Sequence, residues 1–336
     1  MKRSELLNKL GYTVPECKKR RVIVVSDINC EADDPFAIMH HMLTPSIELK
    51  GIIACHYEWT MRLVEQHMKE HPEMVEAAKA AGDPRVEIMI NGRGKTMGRS
   101  YEEGELILKL AGVDDVPLLH GAAYELSGRD IDKLPESEGA DFIIEEALKD
   151  DERQLYVCLL GGETDLAIAL LKKPEIAEKI TAIAIMGGVY PEGNMEFNCI
   201  QDVDAVNAIF ESGCQYWQIP QNVYGHTYIS FAELVSNIRP CGQIGKWMVD
   251  QMFEFQKNNA DANRDFPSAE VWSIGDNPTV GVLLGEGNYH TMPAPHIRED
   301  GTYEENPNGN EIRVYDWYDV RLTVHDLMAK MKLIYG

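Results

Sequence analysis

The chain has 336 residues, 44% of them hydrophobic, enough for a large core in one domain or two closely joined ones. Its net charge of −23 argues against a nucleic-acid backbone or an anionic membrane surface as partner, because both attract basic proteins. No uninterrupted run of about 18 apolar residues occurs, so no membrane span is expected.

The opening MKRSELLNKLGYTVPECKKRR lacks the apolar centre of a signal peptide. Seven cysteines, at 17, 30, 55, 158, 199, 214 and 241, form no C-x-x-C pair, and several sit in apolar runs. Reduced, buried thiols in a cytoplasmic protein are the expectation, without a zinc site. Along the chain, short apolar runs predict strands at 21–26, 48–55, 86–90, 154–160, 181–186 and 215–219, with a weaker one near 116–119. Amphipathic stretches between them predict helices at 35–43, 60–81, 100–111, 139–149, 164–171, 203–212 and 243–258. This alternation implies an α/β fold, an open, mostly parallel, Rossmann-like sheet flanked by helices. From Tyr289 to Thr323 the prolines, the turn-rich 304–310 and the alternating EIRVYDW and DVRLTV predict an antiparallel hairpin appended to that sheet. With no repeat and no convincing linker, the expectation is one domain over 1–336, its core about 21–325.

In open α/β sheets ligands bind outside the carboxyl ends of the strands, which directs attention to the residues that follow them. After Val22–Ser26 come Asp27, Asn29, Glu31, Asp33 and Asp34 within eight residues. Four crowded carboxylates repel one another unless a hard cation or a proton neutralises them. Asp33 and Asp34 also suit a helix N-terminus, but that explains only two of the four. After 154–160, Gly161-Gly162-Glu163-Thr164-Asp165 reads as a tight strand-to-helix turn. After 181–186, a Gly-rich loop carries Asn194, Glu196 and Asn198, whose amides and carboxylate suit sugar hydroxyls. Cys55-His56-Tyr57-Glu58-Trp59 follows the second strand and holds groups able to line a pocket. Gly275-Asp276-Asn277-Pro278 precedes the apolar TVGVLL, where Asp276 either caps a buried helix or points into a site.

Taken in order, these segments resemble the inosine-uridine-preferring nucleoside hydrolase family from about residue 21 to 325. The family's Asp-x-Asp-x-x-x-Asp-Asp appears as Asp27-Ile-Asn29-Cys-Glu31-Ala-Asp33-Asp34, and its Gly-Pro-Leu-Thr-Asn turn as Gly161 to Asp165. Met186-Gly187-Gly188, Gly193-Asn194, Glu196-Phe197-Asn198, Asp202 and Gly275-Asp276-Asn277-Pro278 match its later motifs. The resemblance implies the nucleoside hydrolase fold, one Ca²⁺, and hydrolysis of the N-glycosidic bond of a ribonucleoside, standard or modified. By position, Asp34, the Thr164 carbonyl and Asp276 would ligate the ion, with Asn29 or Glu31 completing the set. Asp33, Asn194, Glu196 and Asn198 would hold the ribose, with His56 and Glu58 as further pocket candidates. Relatives of this family imply a homodimer or tetramer acting on a small-molecule nucleoside.

Two departures stand out. Asn29 occupies the position of an aspartate that the family uses as metal ligand and general base, and an amide cannot take up a proton at neutral pH. Glu31 is the expected replacement, with Asp27 its rival. Gly275 stands where the family commonly has histidine, so the group that protonates the leaving base is open among His226, Tyr224, Tyr228 and His56. Alternatives are a hydrolase of another ribosyl or glycosyl compound, and a nucleoside- or sugar-binding protein of the same fold that has lost turnover.

Overall fold

A computed structural model describes residues 1–82, 86–259, 269–285 and 287–336. Its central sheet is assembled from β1 (Arg20–Ser26), β2 (Ile47–Ala54), β3 (Leu118–His120), β4 (Leu155–Leu159), β5 (Ile180–Ile185) and β6 (Gln215–Ile219). Beyond these, β7 (Tyr228–Ser230) and β8 (Val271–Ser273) pair with each other as a separate antiparallel ribbon. The chain then forms β9 (Asn288–Pro293), the small pair β10 (His296–Ile297) and β11 (Tyr303–Glu304), and β12 (Glu311–Trp317).

The eight-stranded sheet has the order β3-β2-β1-β4-β5-β6-β12-β9. All its neighbours are parallel except β12 and β9. Alternate residues of β1 serve opposite faces: Val22 and Val24 join one core cluster, Ile23 and Val25 the other. Burial on both faces is why β1 and β5 read as unbroken apolar runs rather than alternating ones. The chain leaves β1 for β2 on one side and later returns to β4 on the other. A crevice therefore opens at the carboxyl ends of β1 and β4, the usual place for a ligand in such sheets.

Three expectations are corrected. Residues 86–90 lie in the helix Val86–Asn91, not in a strand. The position beside β2 that such a strand would need is taken by β3, so the weaker apolar run near 116–119 is the true edge strand. The single helix expected over 60–81 is two, Glu58–Glu70 and Pro72–Ala81. Pro72 lacks an N–H and disfavours helical geometry in the residue before it, and His71 sits at φ −129°, ψ 61° between the two helices. Finally, the hairpin at the end of the chain is β9 against β12, but DVRLTV is not part of it. Asp319 accepts a hydrogen bond from the Leu322 N–H at 2.8 Å and starts the helix Val320–Tyr335. All seven cysteines are free, five of them buried. Among the described residues no helix is long and apolar enough to cross a membrane.

Candidate active site

The loop that follows β1 brings its acids inward. Asp33 precedes the helix Asp34–Leu43, and its carbonyl accepts from the Phe36 N–H at 2.9 Å. Asp34 opens that helix and accepts from the Ser26 hydroxyl. Far away in sequence, Asp276 sits in the turn between β8 and the helix Pro278–Leu284. One carboxylate oxygen from each of Asp33, Asp34 and Asp276 lies within 4.8 Å of the other two, and all three residues are buried. Asp27 is buried as well, with Oδ2 unpartnered. Gly161, at the end of β4, makes room for it, because a Cβ there would collide with the Asp27 carboxylate. Glu31 completes the group, its Oε1 accepting from the Trp272 indole N–H at 3.2 Å.

Burial raises the pKa of every one of these acids, and repulsion from neighbouring carboxylates adds to it in all but Asp34. Asp27, Asp33 and Asp276 are pushed well up, Asp27 further by Asp34, Asp33 by Glu31 and Asp276 by Asp33. Glu31 is raised to about 8 by burial and then Asp34, and Asp34 to about 6 by burial, partly opposed by the Ser26 hydrogen bond. Such a cluster fits a hard divalent cation. It offers three convergent carboxylates and a fourth with an unpartnered oxygen, all oxygen donors of the kind Ca²⁺ takes. No Lys, Arg or His is present among the described lining residues to neutralise them instead.

The opposite wall is preorganised. Glu196 caps the short helix Phe197–Gln201, accepting from the N–H groups of Asn198 (3.2 Å) and Cys199 (2.9 Å). It also accepts from the Gly187 N–H at 2.8 Å and the Tyr224 hydroxyl at 2.7 Å. The Asn198 amide donates to the carbonyls of Leu160 (3.0 Å) and Ile185 (2.8 Å), tying the ends of β4 and β5 together. Between the two walls lies a cavity of about 550 Å³, a size that suits a nucleoside-scale ligand. Phe197, Gln221, Tyr224, Tyr228, Phe255, Val271 and Gly275 also line it.

Of the sequence candidates, Asp27, Glu31, Asp33, Asp34, Glu196, Asn198, Tyr224, Tyr228 and Asp276 meet in this cavity. The side chains of the others find partners around it. The Asn29 amide donates to Glu103 and its oxygen accepts from the Tyr57 hydroxyl at 3.3 Å, on an exposed residue. His56 meets the Thr164 hydroxyl at 2.9 Å, and burial lowers its pKa to about 4, so it is neutral at physiological pH. Thr164 in turn donates to Asp202 at 2.7 Å. Glu58 accepts from the Gly94 N–H at 2.9 Å and the Thr96 hydroxyl at 2.6 Å. Asn194 accepts from the Val189 N–H at 3.1 Å and donates to Gln221 at 3.0 Å, one residue removed from the cavity. His226 is exposed, with Nδ1 against the Asn222 carbonyl at 2.9 Å.

Sequence reasoning passed over Gln221 and Phe255. Gln221 follows the carboxyl end of β6, the very position the strand-end rule selects, so the signal for it was present. Phe255 comes from near the C-terminal end of the helix Gly242–Asn259 and carries no such mark.

Comparison with known proteins gives the chain a family. The family profile described as "Inosine-uridine preferring nucleoside hydrolase" matches residues 23–317. The inosine-uridine preferring nucleoside hydrolase of Crithidia fasciculata is 25% identical over 171 residues, 42% of this chain and 52% of that protein. The chain thus spans about half the length of that curated relative. The pyrimidine-specific ribonucleoside hydrolase RihA of Salmonella paratyphi A is 26% identical over 236 residues, 69% of this chain and 70% of that one. Among solved structures, the purine-preferring ribonucleoside hydrolase from Gardnerella vaginalis superposes with a TM-score of 0.69 at 18% identity, covering 94% of this chain and 99% of that one. At that identity the likeness is one of fold.

Proposed function

Because the chain belongs to the inosine-uridine preferring nucleoside hydrolase family, we propose that it hydrolyses the N-glycosidic bond of a ribonucleoside, standard or modified, releasing ribose and the free base. The observation that carries this reading is the convergence of Asp33, Asp34 and Asp276 on one point at the bottom of a nucleoside-sized cavity. Asp34 and Asp276 would hold a Ca²⁺ there, with Asp33 shared between the ion and the ribose. When bound, the ion supplies positive charge that anchors the ribose diol and makes a neighbouring water more acidic.

The rest is done by the chain's own side chains. Asp27, whose Oδ2 has no other partner, takes the proton of the attacking water, with Glu31 its rival for that role. Glu196 and Asn198, locked by backbone hydrogen bonds, present the remaining polar edge to the sugar. As the glycosidic bond loosens, positive charge develops on the ribosyl ring, and the surrounding carboxylates stabilise it. Cytoplasmic action and assembly as a homodimer or tetramer belong to the same proposal, and light scattering of the purified chain tests the latter.

The test is a panel of ribonucleosides incubated with the chain and Ca²⁺, with ribose assayed as reducing sugar in the presence and absence of EDTA. Release that EDTA abolishes supports the proposal. Tight nucleoside binding with no release under any metal would instead identify a binding protein.

A further inference from the structure

The wall opposite the acids spends most of its hydrogen bonds on itself. Each Glu196 oxygen accepts from two donors, Oε1 from the Tyr224 hydroxyl and the Asn198 N–H, Oε2 from the N–H groups of Gly187 and Cys199. A carboxylate has about four lone-pair sites, so Glu196 reaches a ligand through its charge and not through a free lone pair. Both N–H groups of the Asn198 amide go to the carbonyls of Leu160 and Ile185, which leaves that residue an acceptor, its Oδ1. Asn194 is turned inward on its own loop. Its Oδ1 accepts from the Val189 N–H, and its Nδ2 donates to the Met195 carbonyl at 3.3 Å and to Gln221 Oε1 at 3.0 Å. It fits there because Gly188 has no side chain; a Cβ on that residue would collide with Asn194 Oδ1.

Gln221 is where this wall has hydrogen bonds left over. A backbone N–H only donates and a backbone carbonyl only accepts, so Val189 and Met195 fix which end of the Asn194 amide is which. Asn194 Nδ2 then fixes Gln221 in turn, with Oε1 towards Asn194. The Gln221 backbone N–H is tied to the Gly187 carbonyl at 2.9 Å, so the residue is held at both ends. It lines the cavity, and its Nε2 meets no protein acceptor among the described residues. What it offers a ligand is therefore a pair of donors.

We infer that Gln221 sets specificity at the 5′ end of the ribose by donating a hydrogen bond to the 5′ oxygen. The inference rests on the N-ribosyl hydrolase reading and adds to it a residue and a polarity. Gln221 belongs to the same stitched wall as Asn194, Glu196 and Asn198, the residues set against the ribose in that reading. The 2′ and 3′ hydroxyls are taken there by the ion and Asp33. The ring oxygen shares the positive charge that develops as the glycosidic bond breaks, and a donor at that atom would oppose it. The 5′ oxygen is the ribose oxygen that remains, and it keeps its lone pairs throughout. A donor asks only for an acceptor, so an ether at this position serves as well as a hydroxyl. Gln221 is exposed, so a small group on that oxygen points to solvent.

The experiment measures kcat/KM of the full chain, with Ca²⁺, on inosine and uridine and on their 5′-deoxy and 5′-O-methyl derivatives. The 5′-deoxy compounds are expected to fall about five- to tenfold below the parents, the contribution of one hydrogen bond, and the ethers to stay within about threefold. Gln221→Met keeps the length and removes the N–H groups. It should cost about five- to tenfold on the parents and the ethers and less than about twofold on the 5′-deoxy compounds. Gln221→Glu keeps an oxygen for Asn194 and exchanges the donor for an acceptor. It should retain activity on the parents, whose hydroxyl can turn and donate, and lose about tenfold or more on the ethers, which cannot. Equal losses for Gln221→Met on parents and 5′-deoxy compounds would put the contact on the base or in the loop and overturn the inference. So would an unchanged ether-to-parent ratio in Gln221→Glu, or rejection of the ethers by the unaltered chain. Each of these results leaves the hydrolase reading standing. No sugar released from any of these compounds overturns the hydrolase reading and this inference with it.

Discussion

His40 connects the stability of the fold to the position of a proposed metal ligand, and its replacement has a calculable pH signature. The imidazole is fully buried, with Nδ1 at 3.1 Å from the Asn277 amide nitrogen and Nε2 at 2.9 Å from Asp326. An amide nitrogen only donates, so Nδ1 accepts, and the ring proton sits on Nε2 and points at Asp326. Burial lowers the His40 pKa to about 4, although Asp326 pulls the other way. The unfolded chain, with a histidine near 6.5, therefore binds a proton that the folded chain refuses. Above pH ~6.5 neither state is protonated there and the contribution is flat. As pH falls from ~6.5 to ~4 stability is lost at about 1.4 kcal/mol per pH unit, about 3 kcal/mol in all. His40→Gln removes that titration while keeping a donor for Asp326. It leaves the Asn277 amide without its acceptor, at a cost of about 1–2 kcal/mol near pH 8. The two stability curves should then cross between about pH 5 and 6, with the variant the more stable chain below the crossing. Denaturant unfolding followed by tryptophan fluorescence, in EDTA, at several values from pH 8 to 4.5 measures this directly. A gap between the two proteins that does not change with pH would refute the argument, because His40 would then titrate alike in both states.

Three further outcomes follow from the site. Asp27→Asn should lower kcat by about 10²- to 10⁴-fold with little change in KM, and Glu31→Gln by less; the reverse order would make Glu31 the base. Asp276→Ala should abolish stoichiometric Ca²⁺ in elemental analysis and leave a folded chain; retained calcium would place the ion elsewhere. Asn198→Ala orphans two buried carbonyls, those of Leu160 and Ile185, and should cost about 2–4 kcal/mol in denaturant unfolding, while a loss under about 0.5 kcal/mol would show that water replaces the amide.

Where a strand is buried on both faces, its sequence announces it, and β1, β4, β5 and β6 were legible within a residue or two for that reason. Val86–Asn91 was not, because a short, mostly apolar segment interrupted by Glu87 fits a strand and a helix equally well and the choice is made by what already occupies the sheet edge. The end of the chain misled in a similar way. DVRLTV alternates like a strand, yet Asp319 caps it into a helix, and local capping outweighed the period-two pattern.

For the site, density of charge was legible and partnership was not. Asp27, Asp33 and Asp34 declared themselves by crowding, and Asp276 by its match to a motif, but sequence cannot count the hydrogen bonds that each polar side chain will find. Glu58 looked as promising as Glu196. In the fold Glu58 is surrounded by Gly94, Thr96 and Arg93 and closes a loop, while Glu196 is held by backbone at the edge of the cavity. Asn29, the conspicuous departure in the acidic motif, turns to Glu103 and Tyr57. Its loss of a carboxylate is therefore no argument against catalysis, since Asp27 remains in the cavity with an oxygen that nothing else occupies. A buried polar atom without a partner is costly, and one that lines a cavity recovers that cost only when ligand, ion or water reaches it. By that criterion Asp27 is a stronger candidate than Glu31 for the proposed base, and the paired variants Asp27→Asn and Glu31→Gln decide it.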